Sequence, residues 1–232
     1  MYRIKLPVII LNLKTYLQST GDRAVKLAKQ CEETAEKTGV EVAVAPQFTD
    51  IAPVAKAVSI PVLAQHIDPY EAGKYTGHIL AEAVRDCGAV GTLLNHSERK
   101  LPLDRVEACI KRAEKAELLT VTCADTPETC KAVAALKPSL IAIEPPELIG
   151  SGIPVSKAKP EIVTEAVKGV NEVDSKIPVL CGAGITTGSD VGAALRLGTK
   201  GILLASGVVK SENPLNVLMD MANAILTSNP SD

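Results

Sequence analysis

The sequence predicts an α/β chain folded as a (β/α)8 barrel, a closed eight-stranded parallel sheet. Three observations lead there. Eight short β-branched runs alternate with longer segments of helical spacing along the 232 residues. Several runs are almost solid Val, Ile and Leu, as strands buried on both faces are. Polar residues recur at the C-terminal ends of these runs along the whole chain. A doubly wound open sheet, the other architecture built from βα units, gathers them near one crevice. No run is followed by the G-x-G-x-x-G of a dinucleotide switch point, and eight is the closing number of a barrel.

The eight runs are 8–14, 41–46, 61–67, 89–96, 118–124, 139–145, 178–185 and 201–207. After the first, Ala24, Leu27, Ala28, Cys31 and Ala35 make one apolar helical stripe, and Gly39 stands where a helix-ending glycine belongs. Between Asp50 and Ser59 the helical signal is weak. Pro53 lies inside it, so only a short helix or single turns are expected. Val106, Cys109, Ile110 and Ala113 repeat the stripe after the fourth run. Leu215, Leu218, Met221, Ala222 and Ile225 repeat it behind Pro214, which suits a first helical turn. No linker rich in Pro, Gly or Ser divides the chain, so residues 1–232 read as one compact domain.

Composition removes several function classes. Twenty-five Lys+Arg against 27 Asp+Glu leave a net charge of −2, which gives no reason to expect nucleic acid. Aromatics are 2%, so neither bases nor sugars have a stacking surface, and the core must be Ala, Val, Ile and Leu. No apolar run is long enough for a membrane span or a secretory leader, and a cytoplasmic location is expected. Cys31, Cys87, Cys109, Cys123, Cys130 and Cys181 lack C-x-x-C or Cys/His ligand spacing and read as structural thiols. No metal or organic cofactor is expected.

Four strand ends carry chemistry. The first run closes with Asn12-Leu13-Lys14. Strand parity sets Asn12 and Lys14 on the face of Val8 and Ile10, the barrel interior. A lysine there meets an anion or snorkels to water, and N-x-K alone does not decide. The fourth run closes with Asn95-His96-Ser97-Glu98-Arg99. His96 sits where strand is expected to give way to helix, and the helix terminus disfavours imidazolium; a polar turn with Ser97 as cap is the plainer reading. The sixth closes with Glu144-Pro145-Pro146. Glu144 shares parity with Leu140 and Ala142, and a carboxylate among apolar residues gains the raised pKa that suits a base. The last two runs end in Cys181-Gly182-Ala183-Gly184-Ile185 and Leu204-Ala205-Ser206-Gly207. These small residues let backbone amides approach an anion, where many barrels hold phosphate, or simply pack tightly on a helix. His66 and His78 flank the third strand's loop and read as structural or interfacial.

Taken in order, N-x-K, N-H-S-E-R, E-P-P-E-L-I-G-S-G, C-G-A-G-I and L-A-S-G resemble the triose-phosphate isomerase family over essentially the whole chain. Gly73-Lys74-Tyr75-Thr76-Gly77-His78 is similar to the loop that family interdigitates between subunits. The resemblance implies the TIM barrel and an aldose–ketose isomerase acting on a small phosphorylated triose in glycolysis and gluconeogenesis. It implies Glu144 as the base, His96 as a neutral electrophile, and Lys14 with Asn12 at the substrate oxygens. Glu98 then supports Lys14, and Ile149, Gly150, Gly184, Ala205 and Ser206 bind substrate. Segment 145–152 is implied to be a lid over the intermediate.

The chain departs from the common family pattern in Gly184 for Ser, Ala205-Ser206 for Gly-Gly, and Pro146-Glu147 for Val-Trp. Those departures and the short length are similar to the compact archaeal branch, which implies a homotetramer rather than a homodimer. Two other readings remain on the residues alone. One is a metal-dependent sugar-phosphate epimerase or lyase. The other is a barrel kept only for binding or assembly.

Overall fold

The computed structural model describes residues 2–148 and 154–228. In chain order the strands are β1 (Val8–Asn12), β2 (Glu41–Ala45), β3 (Leu63–Ala64), β4 (Gly91–Leu94), β5 (Leu119–Ala124), β6 (Leu140–Ile143), β7 (Val179–Cys181) and β8 (Gly201–Leu204). The helices are α1 (Asp22–Thr38), α2 (Ile51–Ala57), α3 (Ala81–Asp86), α4 (Leu103–Lys115), α5 (Pro127–Ala134), α6 (Val155–Ala158), α7 (Pro160–Asp174), α8 (Gly188–Arg196), α9 (Ser206–Val209) and α10 (Pro214–Ser228).

All strand pairs are parallel, in the order β2-β1-β8-β7-β6-β5-β4-β3. The two ends of that order meet at a bridge between Val44 and Val62, where Val44 N donates to Pro61 O at 3.0 Å. The sheet is therefore a (β/α)8 TIM barrel, nearly closed by regular pairing and completed by one bridge.

Alternation along each strand sorts the apolar residues into two cores. Val8, Ile10, Ala43, Ala45, Leu63, Leu93, Val121, Leu140, Ala142, Leu180 and Leu203 fill the barrel. Ile9, Leu11, Val42, Val44, Leu94, Ile202 and Leu204 face outward onto the helices. With so few rings available, the interior is packed with branched aliphatics and alanine.

Local signals explain the helix ends. Gly39 adopts φ +73° and its N–H returns to Ala35 O, which stops α1. Thr126 caps α5 and Pro127 opens it. Thr187 and Asp190 form a reciprocal capping box on α8. Segment 50–59 begins on the last residue of a 3-10 turn (Phe48–Asp50) and continues as the seven-residue α2, with Pro53 in its first turn, where its missing N–H costs nothing.

Most strands are shorter than their apolar runs, for identifiable reasons. β1 ends at Asn12 because Lys14 turns to a left-handed φ of +49°. Of 178–185 only Val179–Cys181 is strand, and Gly184 at φ +72° turns the chain out of the sheet. Of 201–207 the last part is already helical, as α9. Of the cysteines, Cys87 is exposed and the other five are buried, all as free thiols.

Candidate active site

The C-terminal ends of β1, β4, β6, β7 and β8 bring Asn12, Lys14, His96, Glu144, Gly182, Gly184, Ala205 and Ser206 around one cavity, with Tyr16, Ile185 and Thr186 at its wall. Glu98 stands beside it, on the far side of Lys14. Ile149 and Gly150, with the rest of 149–152, half of segment 145–152, lie outside the described residues.

Lys14 is held from three directions. Its N–H donates to Asn12 Oδ1 at 2.9 Å, which stabilises the turn off β1. Its Nζ donates to Glu98 Oε1 at 2.7 Å. Its carbonyl accepts from Gln65 Nε2 at 3.0 Å, and the same amide nitrogen donates to Ala45 O at 3.0 Å. A left-handed backbone at a residue with a side chain costs of order 1 kcal/mol and persists only where its surroundings hold it. Gln65 supplies that hold by tying the ends of β1 and β2 to the end of β3.

His96 is not at the start of a long helix. A 3-10 turn, Ser97–Arg99, follows it, and Pro102 delays α4 to Leu103. The imidazole itself, rather than Ser97, caps that turn: Nδ1 accepts from Glu98 N at 3.2 Å. An accepting Nδ1 leaves the proton on Nε2, which points towards the cavity. Burial lowers the His96 pKa, and the Lys14 ammonium lowers it further against the opposing pull of Glu98. The neutral ring follows first from burial and a neighbouring cation, and the N–H that Nδ1 accepts at the start of the 3-10 turn favours it too. Asn95 fixes the segment by donating to Cys123 O at 2.9 Å and accepting from Leu101 N at 2.8 Å.

Glu144 follows β6, its N–H donating to Ala124 O at 2.8 Å. Burial pushes its carboxyl up to about 7, against the hydrogen bond from Cys123 and the Lys14 charge. Its Oε2 is buried with no hydrogen-bond partner, 3.7 Å from His96 Nε2. Its neighbour just beyond β7 must be glycine: a Cβ on Gly182 would fall 2.3 Å from Glu144 Cγ. The site thus holds a carboxyl that titrates near neutrality, a neutral N–H donor and an ammonium, on one small cavity.

The family model described as triosephosphate isomerase matches residues 7–225. The chain belongs to the triosephosphate isomerase family. The triosephosphate isomerase of Methanobacterium bryantii is 53% identical over 219 residues, covering 94% of this chain and 97% of that one. That of Methanocaldococcus jannaschii is 50% identical over 218 residues, covering 94% and 100%. The crystal structure of triosephosphate isomerase from Bartonella henselae shares the fold, with TM-score 0.72 at 20% identity over 96% of this chain and 98% of that one.

Gln65 is a structurally important residue of this isomerase-family site that motif reading passes over, and Asn95 and Gly182 lie within motifs that gave them no role of their own. Gln65 was detectable, since it is a polar residue at the C-terminal end of a strand. Gly182 lies within C-G-A-G-I, but only geometry shows what its missing Cβ makes room for. Among the described residues no three His, Cys, Asp or Glu side chains gather as metal ligands, and no helix is long and apolar enough to cross a membrane.

Proposed function

We propose that this chain interconverts D-glyceraldehyde 3-phosphate and dihydroxyacetone phosphate through an enediolate, in the steps of glycolysis and gluconeogenesis, with Glu144, His96 and Lys14 as its catalytic residues. The buried, near-neutral carboxyl of Glu144 facing the Nε2–H of His96 carries this reading. Glu144 as carboxylate takes a proton from the carbon beside the carbonyl. The electron pair moves into the C–C bond and the carbonyl oxygen becomes the anionic oxygen of the enediolate. His96 donates its Nε2 hydrogen bond there and carries a proton between the two oxygens. Protonated Glu144 returns its proton to the neighbouring carbon, and the carboxylate is regenerated. A base working near its own pKa is efficient in both directions.

Lys14 supplies positive charge beside the developing enediolate, with Glu98 setting the position of its ammonium. A preorganised electrostatic contact of this kind contributes about 3 kcal/mol in the transition state. Asn12 orients the Lys14 turn and reaches the substrate side of the cavity. Gly184, Ala205 and Ser206 line the part of the cavity assigned to the phosphate, and Ile149 and Gly150 are assigned to the same group. That remote group supplies binding energy that orients the reacting carbons.

Self-association belongs to the same proposal, as a homotetramer in the cytoplasm. Residues 71–78 project as an exposed loop, braced by Tyr70 stacked on Tyr75 at 4.2 Å and by His78 edge-on to Tyr70. Asp68 clasps the loop's base by accepting from Ile79 N at 2.7 Å. A second copy of the chain is a suitable receiver for such a loop. A light-scattering mass four times that of the chain supports the tetramer, and a dimer mass rejects it. The activity is tested with purified protein in a coupled assay on glyceraldehyde 3-phosphate. Turnover that survives exhaustive chelation is expected, and absence of turnover rejects the isomerase reading.

A further inference from the structure

A buried carboxylate lies directly behind the wall of the site assigned to phosphate. Asp190, the third residue of α8, is 3% exposed. Its Oδ2 accepts from Thr186 N at 3.1 Å, Thr186 Oγ1 at 3.1 Å and Thr187 N at 2.9 Å. Thr186 itself lines the cavity. Asp190 therefore sets the backbone of the segment running from Gly184 to the start of α8. A second carboxylate reaches the same helix start from α10, where Asp220 Oδ2 accepts from Gly188 N at 2.6 Å.

This arrangement shapes the loop but sets negative charge beneath the place where a dianion must bind. Burial by itself would raise the Asp190 pKa. The Lys157 ammonium and the Thr186 and Thr187 donors outweigh it and hold the group below the ordinary carboxylate range. Asp190 is thus anionic at any working pH. At short range and low polarity, an uncompensated charge of like sign weakens anion binding appreciably.

Lys157 meets this charge. It sits on α6, half-exposed, with Nζ 2.6 Å from Asp190 Oδ1. Ser156, its neighbour, donates its hydroxyl to Asp190 O at 3.5 Å and places α6 against the start of α8. Oδ1 faces the ammonium while Oδ2 faces the loop, so one carboxylate both orders the loop and is neutralised from behind.

We propose that Lys157 is a positioning residue for phosphate recognition: by neutralising Asp190 it lets the β7–α8 loop accept a phosphate dianion. The inference rests on the isomerase reading for its substrate. Its simplest alternative is that Lys157 only fastens α6 to α8.

The two are separated by measuring the Kd of inorganic phosphate by titration calorimetry on the full chain, a readout that needs no turnover. Lys157→Met is expected to weaken phosphate binding about tenfold and to raise KM for glyceraldehyde 3-phosphate by a similar factor, with a much smaller change in kcat. Lys157→Arg is expected to restore both. Adding Asp190→Asn to Lys157→Met is expected to recover phosphate affinity, because the charge to be offset is gone. Lys157 is half-exposed, so the single substitution leaves the core intact even if the double variant folds poorly. A Lys157→Met protein that loses stability but binds phosphate within about twofold of the parent overturns the proposal. A parent that binds phosphate but does not isomerise triose phosphates overturns the functional reading instead, and leaves the calorimetric comparison standing.

Discussion

His96 Nε2 stands 3.7 Å from Glu144 Oε2, and that oxygen has no hydrogen-bond partner. An unpaired carboxylate oxygen in a buried site is costly, and proteins keep such atoms where a ligand completes them. In the proposed reaction the substrate's carbon-bound proton meets this oxygen, and the imidazole beside it donates to the adjacent substrate oxygen. The burial that leaves Oε2 without a partner is also what raises the Glu144 pKa into the working range, against the Cys123 hydrogen bond and the Lys14 charge.

The first prediction is a pair of pH profiles. Because Glu144 must be ionised to accept a proton, kcat/KM is expected to fall on the acid side with an apparent pKa of about 7. Glu144→Gln is expected to lower kcat about 10³-fold with little change in KM. The stability profile has the opposite sign. A raised folded-state pKa means the folded protein holds a proton that the unfolded chain releases near 4.5. The resulting stability is fully present below the unfolded value and is lost as pH rises through about 7, an order of about 3 kcal/mol. Glu144→Gln carries no such loss, so its Tm advantage over the parent grows from about pH 5 to pH 8. A Tm difference independent of pH rejects the raised pKa.

The second concerns Gly182. Alanine there directs a Cβ to 2.3 Å from Glu144 Cγ, so the carboxylate must move. A displacement of about 1 Å at a catalytic base costs about 10²-fold in rate. Gly182→Ala is expected to reduce kcat by that order while the circular dichroism spectrum stays that of the parent. Unchanged turnover shows that Glu144 does not need its present position.

Much of this site was legible because strand parity and strand ends are one-dimensional rules. Asn12 falls on the interior face of β1, and Lys14 and Glu144, just beyond the ends of β1 and β6, line the same cavity, where two-residue counting points. The lowered pKa of His96 was legible in part, from the helical turn it heads, but not its burial or the Lys14 charge. Where the chain leaves β4 depends on Pro102 and on the imidazole capping its own turn, and neither follows from hydropathy. The strand limits were blurred for a similar reason. Apolar runs continue past the hydrogen-bonded ladder, and only the left-handed turns at Lys14 and Gly184 show where the sheet stops. Asp190 and Lys157 lie 33 positions apart on different helices, and no local pattern links them.

The third prediction tests the hold on Lys14. Gln65→Leu removes the amide that bonds Lys14 O and Ala45 O, leaving two carbonyls without that donor. A stability loss of about 1–3 kcal/mol is expected. With the left-handed turn less restrained, kcat/KM is expected to fall about tenfold beyond what the unfolded fraction explains. If activity tracks only the folded fraction, Gln65 supports the fold and not the lysine.

The fourth separates barrel closure from chemistry. Gly201 opens β8 at φ +141°, and a Cβ there would lie 2.2 Å from Val8 O, in the β1–β8 ladder. The contact is with backbone that is itself paired, so no side chain can yield. Gly201→Ala is therefore expected to destabilise the protein by at least about 3 kcal/mol, through strain at a left-handed position and a displaced ladder. Val8 lies at the opposite end of β1 from Asn12, so the lesion is remote from Lys14. Denaturant unfolding is expected to show a lower midpoint, while the acid limb of kcat/KM near pH 7 stays in place in the protein that remains folded. A Gly201→Ala protein with the parental midpoint means that β1 and β8 can separate without loss, and the tight β1–β8 contact is then not needed for stability.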